Sequence, residues 1–420
     1  MVYKLVKGTS DIIFNIENWR YLEEKAKELC SIYGYKEIRT PIIETAELYR
    51  RSVGQYTDIV SKEMYAFFDK AERFIALRPE GTAGVVRAYI ENKIYSGNRI
   101  TKWYYIGPMF RYERPQAGRS RQFHQFGVEV FNCSDPMLDA EIIALGMKYF
   151  DSIGLYDVKV ELNSLGDVES RKKYIAALVS YFEKYEKSLN EDDRRRLQIN
   201  PLRVLDSKDR KVKELLATAP KITSYLNEKS QTYFLKVLAY LDALDISYEV
   251  NPYLVRGLDY YQDTVFEFVA SLGSNNKVCA IGGGGRYDKL VLQLGGPDVA
   301  GVGFGIGLER VLLSLTRSFL DKGITCYIIP LEEKVRLFCF KLLFLLRENN
   351  IRTDIAFENK KLKNNLKTAL NLKAKFALII GEEELREDAV QVKDLKTKIQ
   401  EKVARTKLVS FLRVGLINEK

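Results

Sequence analysis

Arg111, Glu113, Gln125 and Glu129 lie in the stretch Tyr105–Phe131, YIGPMFRYERPQAGRSRQFHQFGVEVF, with three more arginines at Arg114, Arg119 and Arg121. Guanidinium forks match phosphate oxygens, and carboxylates match an ammonium or imidazole group. These residue types suit a site that takes a polyphosphate together with an amino acid. The plain alternative is a charged hairpin facing water. Aromatic residues crowd both flanks, however, and a solvated hairpin has no need of them.

The elements that must hold these side chains are two strands and a turn. Trp103–Tyr112 and Phe123–Phe131 carry strand formers, and Arg114–Arg121 reads as the loop between them. Strand positions two apart share a face, which pairs Arg111 with Glu113 and Gln125 with Glu129. Arg111-Tyr112-Glu113-Arg114-Pro115-Gln116 followed by Arg121-Gln122-Phe123-His124-Gln125 resembles motif 2 of class II aminoacyl-tRNA synthetases. Its RPQ…RQFHQ form is similar to that of the bacterial histidyl-tRNA synthetases.

Further segments fall in the order of that family. Asn15–Tyr33 sets Trp19, Leu22, Ala26, Leu29 and Ile32 on one helical face, with Gly34 as a stop. Tyr35–Glu44 reads as a strand that Pro41 confines to an edge or an interface. Helix plus proline-bearing strand resembles motif 1, which implies a homodimer. Phe74–Leu77 reads as a strand leading into LRPEGTAG, with a helix starting near Ala83. Glu80 there could cap the helix; the segment also resembles the family's loop for the substrate α-amino group.

Leu254–Tyr261 (LVRGLDYY) precedes an alternating strand at Thr264–Phe268, and a run of four glycines, Gly282–Gly285, follows. Alone, the glycines read as a flexible loop. Paired with RGLDYY they resemble the two signature segments of histidyl-tRNA synthetases, although Gln262-Asp263 stands where the family commonly has a small residue and glycine. Gly301, Gly303, Gly305 and Gly307 fit neither a dinucleotide nor a P-loop pattern. Alternation puts all four on one strand face, bare enough for a planar base or for close helix packing. The helix Leu308–Leu315, with Arg310 in its first turn, resembles motif 3, whose arginine meets the ATP γ-phosphate.

Length and composition fit this layout. A chain of 420 residues with 46% hydrophobic content supports two or three domains. The five cysteines, Cys30, Cys133, Cys279, Cys326 and Cys339, show no metal-ligand spacing and read as reduced and buried. With a single histidine, His124, they argue against a zinc site. No secretory signal is evident at the N-terminus, and the apolar run Val335–Leu346 is too short for a membrane span. The expected location is cytoplasmic, with no membrane partner. Net charge is +10, and residues 321–420 hold seven of that surplus, which favours a polyanionic partner.

Residues 168–246 read as an all-helical insertion whose charge cluster, Asn190–Arg196, faces solvent. From residue 321 the chain alternates strand and helix, giving a separate small α/β domain with a mixed sheet. Its Lys360–Lys375 stretch contains no acid, and it resembles the anticodon-binding domain of several class II synthetases. The expected fold is α+β: an antiparallel class II catalytic core over residues 1–320, with the insertion, and an anticodon-binding domain over 321–420.

By resemblance, position by position, Glu80, Gly81, Thr82 and Gln125 would hold the histidine α-amino end. Glu129 and Tyr261 would read the imidazole, with Tyr260 lining the pocket. Arg111 and Arg256 would meet the α-phosphate and carboxylate, and Arg119 and Arg310 the outer phosphates. Phe123 would stack on adenine and Glu113 would reach its amino group. Arg111, Arg256 and Arg310 are the expected catalytic residues. His124 reads as a structural hydrogen-bonder rather than a general base. The implied reaction joins L-histidine, ATP and tRNA(His), with magnesium implied by the family and no metal ligands identified in the chain. The alternative is a synthetase-like regulatory subunit that binds histidine without charging tRNA.

Overall fold

The computed structural model describes residues 3–272, 277–315, 323–358 and 360–417. It divides into two units, residues 1–319 and 320–420. The boundary expected near residue 320 lies outside the described residues.

The first helix, Ile16–Ile32, buries Leu22, Ala26, Leu29 and Cys30 and ends where Gly34 adopts φ +77°. Ile32, expected on the buried face, is exposed, and Cys30 takes its place. Tyr35–Glu44 does not form one strand. It divides into β1 (Lys36–Glu37) and β2 (Ile43–Thr45), which join different sheets. Pro41 lies between them, where no ladder hydrogen bond is asked of it. β2 pairs with β4 (Phe74–Leu77), which also pairs with β3 (Ala66–Phe68).

The main sheet adds β5 (Thr101–Phe110), β6 (Gln122–Phe131), β7 (Lys159–Ser164), β8 (Tyr248–Val250), β9 (Gln262–Leu272), β10 (Lys277–Arg286) and β11 (Gly301–Gly307). Its order is β1-β5-β6-β11-β10-β9-β7-β8, antiparallel except for the outer pairs β1·β5 and β7·β8. β5 ends at Phe110, so Arg111–Glu113 lie just beyond the strand, although the Arg111 N–H still donates to Arg121 O at 2.9 Å.

The two faces of β6 divide the labour. Phe126, Val128 and Val130 enter a core built with the helices Ile16–Ile32, Pro136–Ser152 and Glu228–Asp242. The helix Pro136–Ser152 is well specified: Asp135 accepts from the Met137 N–H at 2.8 Å, and Pro136 occupies the first turn. Such a cap contributes about 1 kcal/mol. The intervening residues of β6, Gly127, Glu129 and Phe131, face the other way, toward the site.

Residues 168–242 are helical apart from short connections. Tyr174, Leu178 and Phe182 join the core on the site face, and Phe234, Val237 and Leu241 the core on the other. The charge cluster is not wholly solvated. Asp193 turns inward, accepting from Ser207 Oγ at 2.7 Å and Asn190 Nδ2 at 2.7 Å, and pairs with Arg196 at 3.0 Å.

The second unit has β12 (Cys326–Pro330), β13 (Thr353–Ile355), β14 (Phe376–Ile380), β15 (Ala389–Asp394) and β16 (Gln400–Ala404), ordered β13-β12-β14-β15-β16. The first three are parallel and the last two antiparallel to their neighbours, so the sheet is mixed. The apolar run beyond Val335 is a packed helix, Arg336–Glu348, burying Cys339, Leu342, Leu343 and Leu346. Among the described residues no helix is long and apolar enough to cross a membrane. No disulfide joins the cysteines; Cys30, Cys326 and Cys339 are buried, whereas Cys133 and Cys279 are only partly so.

Candidate active site

Glycines clear the floor of the site. Gly303 on β11 pairs with Glu129 on β6, and a Cβ there would lie 2.0 Å from Glu129 Oε2. At Gly301 it would lie 2.4 Å from the Tyr287 ring. The face expected to be bare is therefore covered over half its length by Tyr287 and Glu129. Only Gly305 and Gly307 border the open cleft. Gly282–Gly285 form no flexible loop: they are the interior of β10, hydrogen-bonded to β9 and β11. A Cβ at Gly284 would meet Gly303 O at 1.9 Å, and one at Gly283 the Arg256 guanidinium at 2.8 Å. The run has no side chains because backbone and arginine occupy their space.

A buried pocket forms around Glu129. Thr82 Oγ1 donates to Glu129 Oε1 at 2.6 Å, Tyr105 Oη donates to the same oxygen at 3.4 Å, and Tyr287 Oη donates to Oε2. Burial pushes the Glu129 carboxyl up to about 8, against the pull of the Thr82 and Tyr287 hydroxyls. Tyr260 and Tyr261 pack with centroids 4.6 Å apart, and Tyr260 lies 5.6 Å from Tyr287. The Tyr260 hydroxyl is buried without a partner. Glu80 joins through the loop before the helix Thr82–Glu91: its carboxylate accepts from the Thr82 and Ala83 N–H groups at 2.7 and 2.8 Å. In the free chain it is a helix cap. Gly81 is needed here, because a Cβ would enter the Tyr105 ring at 2.2 Å.

Beside this pocket runs an open cleft lined by Arg111, Glu113, Arg119, Phe123, Gln125, Arg256 and Arg310, with Glu267 and Glu309. Arg111 Nε donates to Pro79 O at 2.8 Å, and its guanidinium lies 5.2 Å from the Phe123 ring centroid. Arg310, in the first turn of the helix Leu308–Ser314, donates to Gly118 O at 3.1 Å and Ala280 O at 2.5 Å. Burial, and then the nearby Arg119, lower the Arg310 pKa. Like charges gathered this way are stabilised by a polyanion. Arg256 pairs with Glu267, and its Nε is buried without a partner.

Four residues of this arrangement escape sequence reasoning: Tyr105, Tyr287, Glu267 and Glu309. Tyr287 lies two residues past the glycine run and Glu309 precedes Arg310, so closeness to a motif is the signal available for those two. Glu309 accepts from the His124 N–H at 2.9 Å and stands 3.0 Å from His124 Nδ1, while Trp19 packs on the ring at 5.0 Å. His124 is thus tied into a scaffold. Asp263 adopts φ +47°, the left-handed backbone that favours glycine, and accepts from Ser230 Oγ at 2.8 Å.

Among the described residues no group of three metal-ligating side chains converges. Magnesium needs no such cage when phosphate oxygens and water supply most of its ligands. Glu113 keeps one acceptor free for a donor in the cleft, since its buried Oε2 has no hydrogen-bond partner and Arg119 is 3.6 Å away.

Comparison with known proteins gives concordant results. The family model described as histidyl-tRNA synthetase matches residues 15–311, and that described as anticodon binding domain matches residues 325–414. The histidine–tRNA ligase of Bacillus subtilis is 48% identical over the full length of both chains. That of Geobacillus sp. is 46% identical over 99% of this chain and all of its own. The apo histidyl-tRNA synthetase of S. aureus superposes with a TM-score of 0.82 at 40% identity, covering 98% of this chain and 100% of that one. A Bacillus halodurans structure titled as an ATP phosphoribosyltransferase regulatory subunit/histidyl-tRNA synthetase shares the fold, with a TM-score of 0.64 at 20% identity over 88% of this chain and 96% of its own.

Proposed function

The chain belongs to the histidyl-tRNA synthetase family, and from that membership we propose how its pocket and cleft divide the work. The activity is ATP-dependent ligation of histidine to tRNA. A histidine carboxylate oxygen attacks the ATP α-phosphorus, the bond to the bridging oxygen breaks, and pyrophosphate leaves. A terminal ribose hydroxyl of tRNA(His) then attacks the adenylate carbonyl and AMP departs.

Histidine belongs in the buried pocket. Glu129 accepts from the imidazole N–H, with Tyr261 and Tyr260 around the ring. Glu80, Gly81, Thr82 and Gln125 take the α-amino end, which requires Glu80 to share its helix-cap oxygens. ATP belongs in the cleft: Phe123 stacks on adenine, Glu113 reaches its amino group, and Arg119 and Arg310 meet the outer phosphates. Arg111 and Arg256 stand where the carboxylate meets the α-phosphate. Charge stabilisation by such donors, with positioning, accounts for most of the chemistry of this step. Magnesium, when bound, would screen the phosphate charge, held chiefly by phosphate oxygens and water.

The observation that carries this reading is the convergence of Arg111, Arg119, Arg256 and Arg310 on one cleft beside the buried carboxylate of Glu129. A histidine-binding regulatory subunit would have no use for Arg119 and Arg310. Histidine-dependent ATP–pyrophosphate exchange decides between the two: exchange supports the ligase site, and histidine binding without exchange overturns it.

Residues 321–420 serve as the anticodon-binding domain, a reading supported by the match over 325–414 and by their surplus of positive charge. A homodimer is supported by exposed apolar side chains around the motif 1 segment, Ile32, Ile42 and Ile43. Sedimentation equilibrium tests it. We place the protein in the cytoplasm, where its substrates are.

A further inference from the structure

Asp259 stands within Arg256–Tyr261, a segment with no helix or strand of its own, and does not line the cleft. Three other parts of the chain hold it. Its N–H donates to Val53 O at 3.1 Å. Its carboxylate lies over Gly54, where a Cβ would come within 2.3 Å of Oδ2, and accepts from Asn200 Nδ2 at 2.9 Å. Arg171, on the helix Val168–Glu183, donates to Tyr261 O at 3.0 Å and Asp259 O at 3.5 Å. Arg171 and Arg203 face the Asp259 charge, and Arg203 is itself tied to Asp58 at 2.9 Å.

We propose that Asp259, clamped by Asn200 and Arg171, is a positioning residue for adenylate formation: it fixes the segment that presents Arg256 to the cleft and Tyr261 to the Glu129 pocket. A segment without its own ladder hydrogen bonds otherwise samples many backbone states, each residue costing about 1–2 kcal/mol to fix. A donor that acts on the transition state loses about 10²-fold in rate when misplaced by about 1 Å. Asn200 and Arg171 both belong to the helical insertion, so the insertion braces the chemistry through this segment. This inference rests on the roles given above to Arg256 and Tyr261.

The test uses the full-length protein and histidine-dependent pyrophosphate exchange, with Asn200→Asp, Asp259→Asn and the double swap. Asn200→Asp sets two carboxylates at hydrogen-bond distance. It is expected to lower kcat by about 30–100-fold and to raise KM for histidine, leaving KM for ATP and the melting temperature near wild type. The double swap restores an amide–carboxylate pair and keeps one negative charge between Arg171 and Arg203. It should recover most of the lost rate. Asn200→Ala, which adds no charge, covers the case in which Asn200→Asp does not fold, and should show a smaller fall of the same kind. Wild-type kinetics in a folded Asn200 variant, or activity lost only in proportion to folded protein with KM for histidine unchanged, overturns the proposal. So does a folded double swap no better than Asn200→Asp. Arg256→Ala, run in parallel, separates the two levels: if its exchange is normal, the assignment of Arg256 fails first.

Discussion

Thr82 Oγ1 donates to Glu129 Oε1 at 2.6 Å, joining the first residue of the helix Thr82–Glu91 to a central strand 47 residues on. The bond ties the proposed α-amino end of the histidine site to its proposed imidazole end. Glu129→Gln replaces one acceptor oxygen by a donor and should weaken histidine binding by about 1–3 kcal/mol, the usual cost of an unmet buried partner. Calorimetric titration with histidine reads this as a shift in Kd. If Glu129 were only a structural group, melting temperature would fall and Kd would stay unchanged.

The same carboxyl gives a pH signature. Its pKa is about 8 in the fold against 4.5 ordinarily, so between those values the native state holds a proton that the unfolded state has lost. Stability from this group therefore falls as pH rises through that window. Histidine affinity should move the other way, rising through about 8 as the acceptor ionises. Both slopes should flatten in Glu129→Gln, read from melting temperature without histidine and from Kd with it.

Arg256→Ala should reduce the exchange rate by about 10²–10³ while leaving histidine affinity nearly intact. The substitution also strands Glu267, which is paired with Arg256. Arg256→Ala combined with Glu267→Gln removes that second effect and should remain slow. A near-normal exchange rate with weakened histidine binding would sink the role given to Arg256.

Gly303 and Gly305 lie on one strand face but should differ in their tolerance of a methyl group. A Cβ at Gly303 falls 2.3 Å from Val128 O as well as on the Glu129 carboxylate, whereas at Gly305 the nearest atom is 3.4 Å away, in the Gln125 amide. Gly303→Ala should cost about 1–3 kcal/mol of stability and abolish histidine binding. Gly305→Ala should fold normally and raise KM for ATP, since Gly305 borders the cleft. Thermal melts of the two proteins check the contrast.

Charging of tRNA should weaken with added salt more steeply than pyrophosphate exchange does, because phosphate contacts release counterions on binding. Removal of residues 321–420 should cut charging severely while leaving exchange measurable, in a truncated protein first shown to be folded and dimeric. Near-intact charging by the truncated protein would refute the anticodon-binding role.

The parts of this site that were legible in the sequence are those where side-chain type and period agree. Phe123–Phe131 alternates, and Leu308–Ser314 opens on a charged first turn. Gly282–Gly285 resisted because a strand without side chains has no period to read; its partners, Gly303 O and Arg256, come from distant segments. Tyr35–Glu44 was misread because the ends of one continuous stretch were claimed by separate sheets. β16 has a polar pattern with only Val403 buried, so nothing marked it as a strand until β15 supplied its ladder. Tyr105 and Tyr287 show their purpose only once Glu129 lies between them.

The lone histidine, locked between Glu309 and Trp19, has a consequence for the protein's own synthesis. A ribosome short of histidyl-tRNA pauses at each histidine codon. A messenger for this chain presents that hazard once in 420 codons. Each copy of the chain thus consumes a single histidyl-tRNA as it is made, a small draw on the product the chain supplies.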